Sequence, residues 1–222
     1  FESKLTPYIR GELTFHYLPN WADDLDHNLE PKSLGKSKET THFTFAGNIG
    51  KVQNLENIIN AFCLISDQYQ EKSQLNIIGD GSNLANLKLL ANNNPNIVFH
   101  GKKLRSDMAS YYKASDFLII SLIDKPIFSV TVPAKTQTYI AAKKPILAII
   151  NGDTASIIQD NNLGLYADPS KIVSISTLFK KCIDMSKEEI NNFSNENDHL
   201  LATIFNKEKT IDRLLQLVVG KD

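Results

Sequence analysis

Three short segments of the 222-residue chain hold residue types that bind anions, at spacings that place them in loops. In the first, Gly47-Asn48-Ile49-Gly50-Lys51, two glycines permit close backbone approach, Asn48 offers side-chain donors and Lys51 sets a cation where a helix begins. The same residues fit a plain strand-to-helix turn with a solvated lysine. The second, Gly79-Asp80-Gly81-Ser82, suits a turn beside a ligand or one that Ser82 closes by capping a helix. The third runs from Ser121 to Ala142. Pro133 is a favoured first helical residue, so Ser129, Val130, Thr131 and Val132 are expected to offer backbone N–H groups at the positive end of a helix dipole, which suits a diphosphate. Lys135 and Thr138 share one face of that helix, where an ammonium and a hydroxyl meet phosphate and ribose; the alternative is an ordinary amphipathic helix with a surface lysine.

These loops need a frame, and the hydrophobic pattern supplies one. HFTFAG (42–47) reads as a buried strand, followed by the helical spacing of Leu55, Ile58, Ile59, Phe62 and Ile65. The unit recurs: strand 75–79 with a helix over Leu84, Leu87 and Leu90, strand 96–101 with a helix near 105–114, strand 116–121 with a helix near 133–143, and strand 145–150. Apolar strands separated by helix-length segments predict a parallel sheet covered on both faces, an α/β doubly wound fold, with two or three helical stretches over 170–219. Residues 11–18 (GELTFHYL) alternate like one entering strand, and 21–40 form a polar connector in which Trp21 is a packing anchor. The division is therefore a hinge segment at 1–40 and a single domain with C-terminal helices at 41–222. In an open parallel sheet the carboxyl ends of the strands are where such loops converge on a ligand.

Other chemistries fail on spacing. A dinucleotide fingerprint needs glycine where Leu84 stands, and a Walker loop ending at Gly50-Lys51 needs glycine at Phe45 and Ser or Thr at Val52. Asp24-Leu25-Asp26 is a literal D-x-D, but it lies in the connector rather than after a strand and reads as a solvated turn. The five histidines show no ligand spacing, so no metal site is expected. Twenty-four basic and 25 acidic residues are interspersed, which argues against a nucleic-acid partner. Cys63 and Cys182 each sit in an apolar helical pattern and read as buried thiols of a cytoplasmic protein. The start at Phe1, without a signal-peptide core, suggests a fragment.

FAGNIGKVQNLENIINAF, LNIIGDGSNLANL, NIVFHGKKLRSDMASYYKASDFLIIS and VPAKTQTYIAAKKPILAIINGDTASIIQDNNLGLYADP, in that order, resemble the nucleotide-sugar domain of retaining glycosyltransferases of the GT-B fold. The Pro-Ala-Lys-x-x-x-Tyr form is similar to the branch of fucosamine and N-acetylhexosamine transferases. The resemblance implies a Rossmann-like half of a two-domain enzyme, with a nucleoside diphosphate sugar, UDP-linked, as donor substrate and no cofactor. It further implies a glycan or lipid-linked acceptor held by an N-terminal domain missing here, and a location at the inner face of the cell membrane through that half. By the same resemblance Gly47 lies beside the diphosphate, and Asn48 stands where many members have a phosphate-binding arginine. Lys51 supplies the charge instead, and Gln53 occupies a later lysine position. Lys51 and Asn48 then carry an electrostatic catalytic contribution. Lys102, Lys103 and Leu104 match the loop at the nucleobase, and Ser129 to Val132 the loop at the diphosphate, with Gly79 and Gly81 bordering the donor. Two family glutamates align with Val130 and Thr138, which implies poor ribose recognition. The competing functions are a non-catalytic nucleotide- or sugar-binding module and a sugar-nucleotide 2-epimerase on the same fold.

Overall fold

The computed structural model describes residues 14–22, 24–35, 39–65, 67–194 and 196–219. The predicted alternation opens with β1 (Thr41–Ala46), α1 (Leu55–Cys63), a short α2 (Asp67–Glu71) and β2 (Ser73–Ile78). Then come α3 (Leu84–Ala91), β3 (Ile97–Gly101), α4 (Met108–Ala114) and β4 (Phe117–Ser121). After the short α5 (Pro126–Ser129) follow α6 (Lys135–Ala141), β5 (Ile146–Ile149), α7 (Asp153–Asp160) and β6 (Gly164–Tyr166). The chain closes with α8 (Ile172–Asp184), α9 (Lys187–Asn191), α10 (Asn197–Ala202) and α11 (Lys207–Val219).

All strand pairs are parallel, and their order is β3-β2-β1-β4-β5-β6. The chain builds outward from β1 through β2 and β3, then returns to β4 on the other side of β1. This reversal makes the sheet doubly wound and opens a crevice between the loops that follow β1 and β4.

The apolar strands divide their side chains between two cores, as the two-residue period requires. Phe43, Phe45, Phe117, Ile119, Leu147 and Ile149 face the layer of α1, α3 and α8, where Phe43 stacks on Phe117 at 5.5 Å and meets Phe179 edge-on at 4.8 Å. Leu118, Ile120, Ile146 and Ala148 face the opposite layer with Tyr112, Tyr139, Ile140 and Ile158. That layer also carries buried polar groups. The Gln74 amide donates to the Leu34 carbonyl and Asn76 Oδ1 lies 2.9 Å from His100 Nε2. Part of the connector is thereby held against the sheet at Leu34 and against α4 at Lys32, whose N–H donates to the Ser110 carbonyl at 3.1 Å.

Four readings of the sequence need correction. Residues 14–18 form no strand, and residues 11–13 lie outside the described residues. The segment adds to neither edge strand, β3 or β6, and His16 to Pro19 lie along α11 instead. Cys63 is exposed at the end of α1, whereas Cys182 is buried as expected. The N-cap of α3 is Asn83 rather than Ser82. Helix α7 and strand β6 were not anticipated; β6 has only three residues, too few for its alternation to register. Among the described residues no helix is long and apolar enough to cross a membrane.

Candidate functional site

Three loops at the carboxyl ends of β1, β2 and β3 enclose a cleft of about 750 Å³. Its walls are Ala46, Gly47 and Asn48 from the first loop and Ile78, Gly79, Asp80 and Gly81 from the second, facing Lys102, Lys103, Arg105, Met108 and Tyr112. The first two loops are joined backbone to backbone. The Gly47 N–H donates to the Ile78 carbonyl (2.9 Å), the Ile49 N–H to the Asp80 carbonyl (2.8 Å) and the Asn83 N–H to the Ile49 carbonyl (3.0 Å), so the parallel ladder continues beyond the strands. Such closeness demands glycine. A Cβ on Gly79 would lie 1.9 Å from the Gly47 carbonyl oxygen, and one on Gly81 would lie 2.4 Å from that of Ile49.

Of the residues singled out in the sequence, Gly47, Asn48, Gly79, Gly81, Lys102 and Lys103 converge on this cleft. Lys51 is exposed on a single 3₁₀ turn (Lys51–Gln53) outside the cleft lining, and Leu104 is exposed beyond the opposite wall. The Gln53 side chain accepts the Gly50 N–H at 2.9 Å, so it closes this turn. Besides the strand ends Ala46 and Ile78, three lining residues escaped the sequence reading: Arg105, Met108 and Tyr112. The Lys102-Lys103-Leu104-Arg105 charge run and the four-residue step from Met108 to Tyr112 on one helix face were the available signals. The cleft is cationic on this wall, and Asp80, whose Oδ1 accepts the Gly81 N–H at 2.7 Å, is its one carboxylate.

The segment ahead of α6 is built differently from what Pro133 suggested. A separate turn, α5, precedes it, and the N–H groups of Val130 and Thr131 point back to the Phe128 carbonyl. The Ser129 hydroxyl donates to the Pro126 carbonyl (2.8 Å) and that of Thr131 to Ile127 (2.7 Å). From the far side Thr154 donates to the Thr131 carbonyl at 2.9 Å, and a Cβ on Gly152 would lie 1.8 Å from the Ser129 oxygen. The turn is thus braced, and the N–H groups of Val130 and Thr131 are turned inward to it.

Two side chains of α6 reach the end of β1. The buried Tyr139 hydroxyl accepts the Ala46 N–H (3.2 Å) and donates to the Ala46 carbonyl (3.3 Å), fixing the residue before Gly47. Burial pushes this phenol up from its ordinary pKa. Lys135 lays its ammonium over the Phe45 ring, 3.8 Å from the centroid, and burial lowers its pKa from 10.5 to about 7. Thr138 turns its hydroxyl back to the Ala134 carbonyl at 3.3 Å.

This arrangement matches known proteins. The model of the family described as glycosyl transferases group 1 matches residues 26–200. The chain is 26% identical over 188 residues to the probable glycosyltransferase WbjE of Pseudomonas aeruginosa, covering 83% of this chain and 42% of WbjE. Among solved structures it superposes on WaaG, a glycosyltransferase involved in lipopolysaccharide biosynthesis (TM-score 0.65, 15% identity, 83% of this chain and 48% of WaaG). HepE of Anabaena, in complex with UDP and glucose, superposes with TM-score 0.66 at 12% identity over 82% of this chain and 49% of HepE. A C-terminal domain from the group 1 protein LpcC of Francisella tularensis is covered over its whole length, 100%, by 83% of this chain (TM-score 0.61, 16% identity). At these identities the structural matches establish the fold, and the chain spans less than half the length of WbjE, WaaG and HepE. With its sheet order, its loops at the strand ends and most of its length within the family model, the chain belongs to the glycosyl transferases group 1 family and carries one half of a GT-B fold.

Proposed function

We propose that this chain is the donor-binding part of a glycosyltransferase that moves a sugar from a nucleoside diphosphate sugar, UDP-linked, to a glycan or lipid-linked acceptor with retention of configuration. The observation that carries this reading is the cleft: glycine backbone on one side, and Lys102, Lys103 and Arg105 on the other. Its volume lies within the range of small-ligand sites. Cations and close backbone suit a diphosphate, and departure of that group asks mainly for stabilisation of its growing negative charge. Asn48 and Gly47 border the leaving group in this reading, with Lys51 at the rim and the shelf of Ser129 to Val132 beyond. HepE supports the choice of nucleotide, since its solved complex holds UDP.

The acceptor is assigned to a second half. The extent of the match to WbjE supports this, as do Leu214, Leu215, Val218 and Val219, which are exposed on α11 and offer that half an apolar face. A 2-epimerase needs acid and base carboxylates at the sugar, and the cleft lining holds only Asp80, which is tied to its own loop. Calorimetric titration with UDP, GDP, ADP and uridine tests the reading. UDP is expected to bind, uridine more weakly, and the 222 residues alone to give no sugar transfer. Failure of every nucleotide to bind would overturn the donor site, and turnover by this chain on a real acceptor would overturn the half-enzyme assignment.

A further inference from the structure

The ammonium of Lys135 occupies an unusual place. It begins α6, the helix that follows β4, but it ends at Gly47, the first residue after β1. It therefore bridges the crevice where the strand order reverses, the position at which open α/β sheets take up ligands. Gly47 makes this possible: a Cβ there would come within 2.9 Å of Lys135 Nζ and 3.4 Å of Cε. The absent side chain leaves room for an ammonium on one side, while Gly47 lines the cleft on the other.

The environment of this lysine is incomplete as it stands. A cation withdrawn from water is ordinarily paired with an anion, because burial of an unpaired charge is costly. Among the described residues no carboxylate pairs with Lys135, and burial alone sets its lowered pKa, with no contribution from a charged neighbour. Its favourable contact is the face of Phe45, which is weaker than pairing with a full negative charge. An anion entering the cleft beside Gly47 would supply the missing partner.

We propose that Lys135 adds a further cation to the donor diphosphate, reaching it past the bare Cα of Gly47 from the side opposite Lys102, Lys103 and Arg105; this deepens the donor-binding reading above and rests on it. Burial lowers the pKa of this lysine from 10.5 to about 7, so an anion that favours its charged form draws protons from solvent onto Nζ.

The test is calorimetric titration of the 222-residue chain with UDP in two buffers of different ionisation enthalpy, with uridine as the uncharged control. Wild type is expected to show proton uptake with UDP and none with uridine. Lys135→Met, which keeps the apolar stem over Phe45, is expected to abolish the uptake and to weaken UDP ten- to a hundredfold, the range set by one charge-assisted hydrogen bond, while leaving uridine unchanged. A lysine that only packs would leave UDP binding and proton uptake the same in both proteins, and that result would overturn the inference while the donor site stands. Wild type whose UDP affinity does not fall as pH rises from 7 to 9, a range in which the terminal phosphate of UDP is already fully ionised, overturns it as well, and this arm needs no variant to fold. Wild type that binds no UDP removes the donor reading and the inference together.

Discussion

The loops that follow β1 and β2 and the segment that leads into α6 both lie at the carboxyl ends of strands, and both are rich in residues that bind anions elsewhere. Their backbones do different things. In the first region glycine lets main chain press on main chain, with the Gly79 Cα against the Gly47 carbonyl and Gly81 against Ile49. In the second, amides and hydroxyls are consumed locally by Phe128, Pro126 and Ile127, and Gly152 braces the shelf from behind. Most glycines here space the protein from itself. Gly47 is the one beside which a cation rests, and the comparison therefore separates glycines that build the cleft wall from the one that gives it charge.

The largest effect expected from this difference is on stability. Gly79→Ala puts a methyl 1.9 Å from a carbonyl oxygen at φ +138°, so backbone must move, at a cost on the order of 3 kcal/mol. Gly101→Ala, at φ +67° with nothing within 4 Å, should cost only about 1 kcal/mol for the left-handed backbone. Urea midpoints measure both, and equal shifts would dissolve the distinction between spacing glycines and turn glycines.

A smaller effect follows from Lys135 and appears with two opposite signs. Its folded pKa is lowered from 10.5 to about 7, so between these values the unfolded chain binds more protons than the folded one. Stability from this group therefore rises with pH above 7. If UDP meets the charged lysine as proposed, affinity falls as pH rises above 7, by at most about tenfold per unit. Urea midpoints and UDP titrations at pH 6, 7, 8 and 9, each compared with Lys135→Met, read the two trends. Parallel trends would show that the lysine does not meet the nucleotide.

How far these features were legible from the residues depends on range. β1 to β5 and the doubly wound class could be read because each strand carries an apolar stretch set between helix-length segments, even though Gln74, Asn76 and His100 place polar groups on one face of β2 and β3. The convergence of Gly47, Gly79 and Lys102 also followed, since loops after parallel strands share one end of the sheet. The contact of Lys135 with Phe45 was out of reach, as it joins residues 90 positions apart across the strand reversal. The sealed amides at Val130 and Thr131 were hidden for a local reason: Pro126 starts a turn of its own, and Pro133 drew attention from it. The strand expected at 11–18 misled because an extended segment that packs along a helix shows the same short alternation, as His16 to Pro19 do along α11.

Thr138 gives a third, milder way to sharpen the comparison, now within α6. The side chain folds its hydroxyl onto the Ala134 carbonyl at 3.3 Å, whereas a carboxylate there would accept hydrogen bonds from both ribose hydroxyls. Thr138→Glu is expected to tighten UDP by about fivefold, the gain of roughly one net hydrogen bond, and to give nothing with a 2′,3′-dideoxy analogue. An equal gain for the analogue would place the ribose away from this helix and leave Lys135 as the sole contact from α6.

The smallest expected effect is none at all, and it concerns charge neutralisation. A diphosphate can be met by a divalent cation held on carboxylates or by the protein's own cations. Asp24-Leu25-Asp26 belongs to the connector, where Asp26 Oδ1 accepts the Asn28 N–H at 2.9 Å, and neither residue lines the cleft. Within the lining, Asp80 stands alone against Lys102, Lys103 and Arg105, so a metal would have one carboxylate to hold it and three cations to repel it. Among the described residues no cluster of three metal-ligating side chains exists elsewhere. UDP affinity is therefore expected to be the same with EDTA as with added Mg²⁺ or Mn²⁺, while rising salt weakens it by screening the lysines and arginine. A loss of binding on chelation, restored by Mn²⁺, would mean that the cationic wall is not what neutralises the diphosphate, and the division between a charge-bearing cleft and a braced shelf would have to be redrawn.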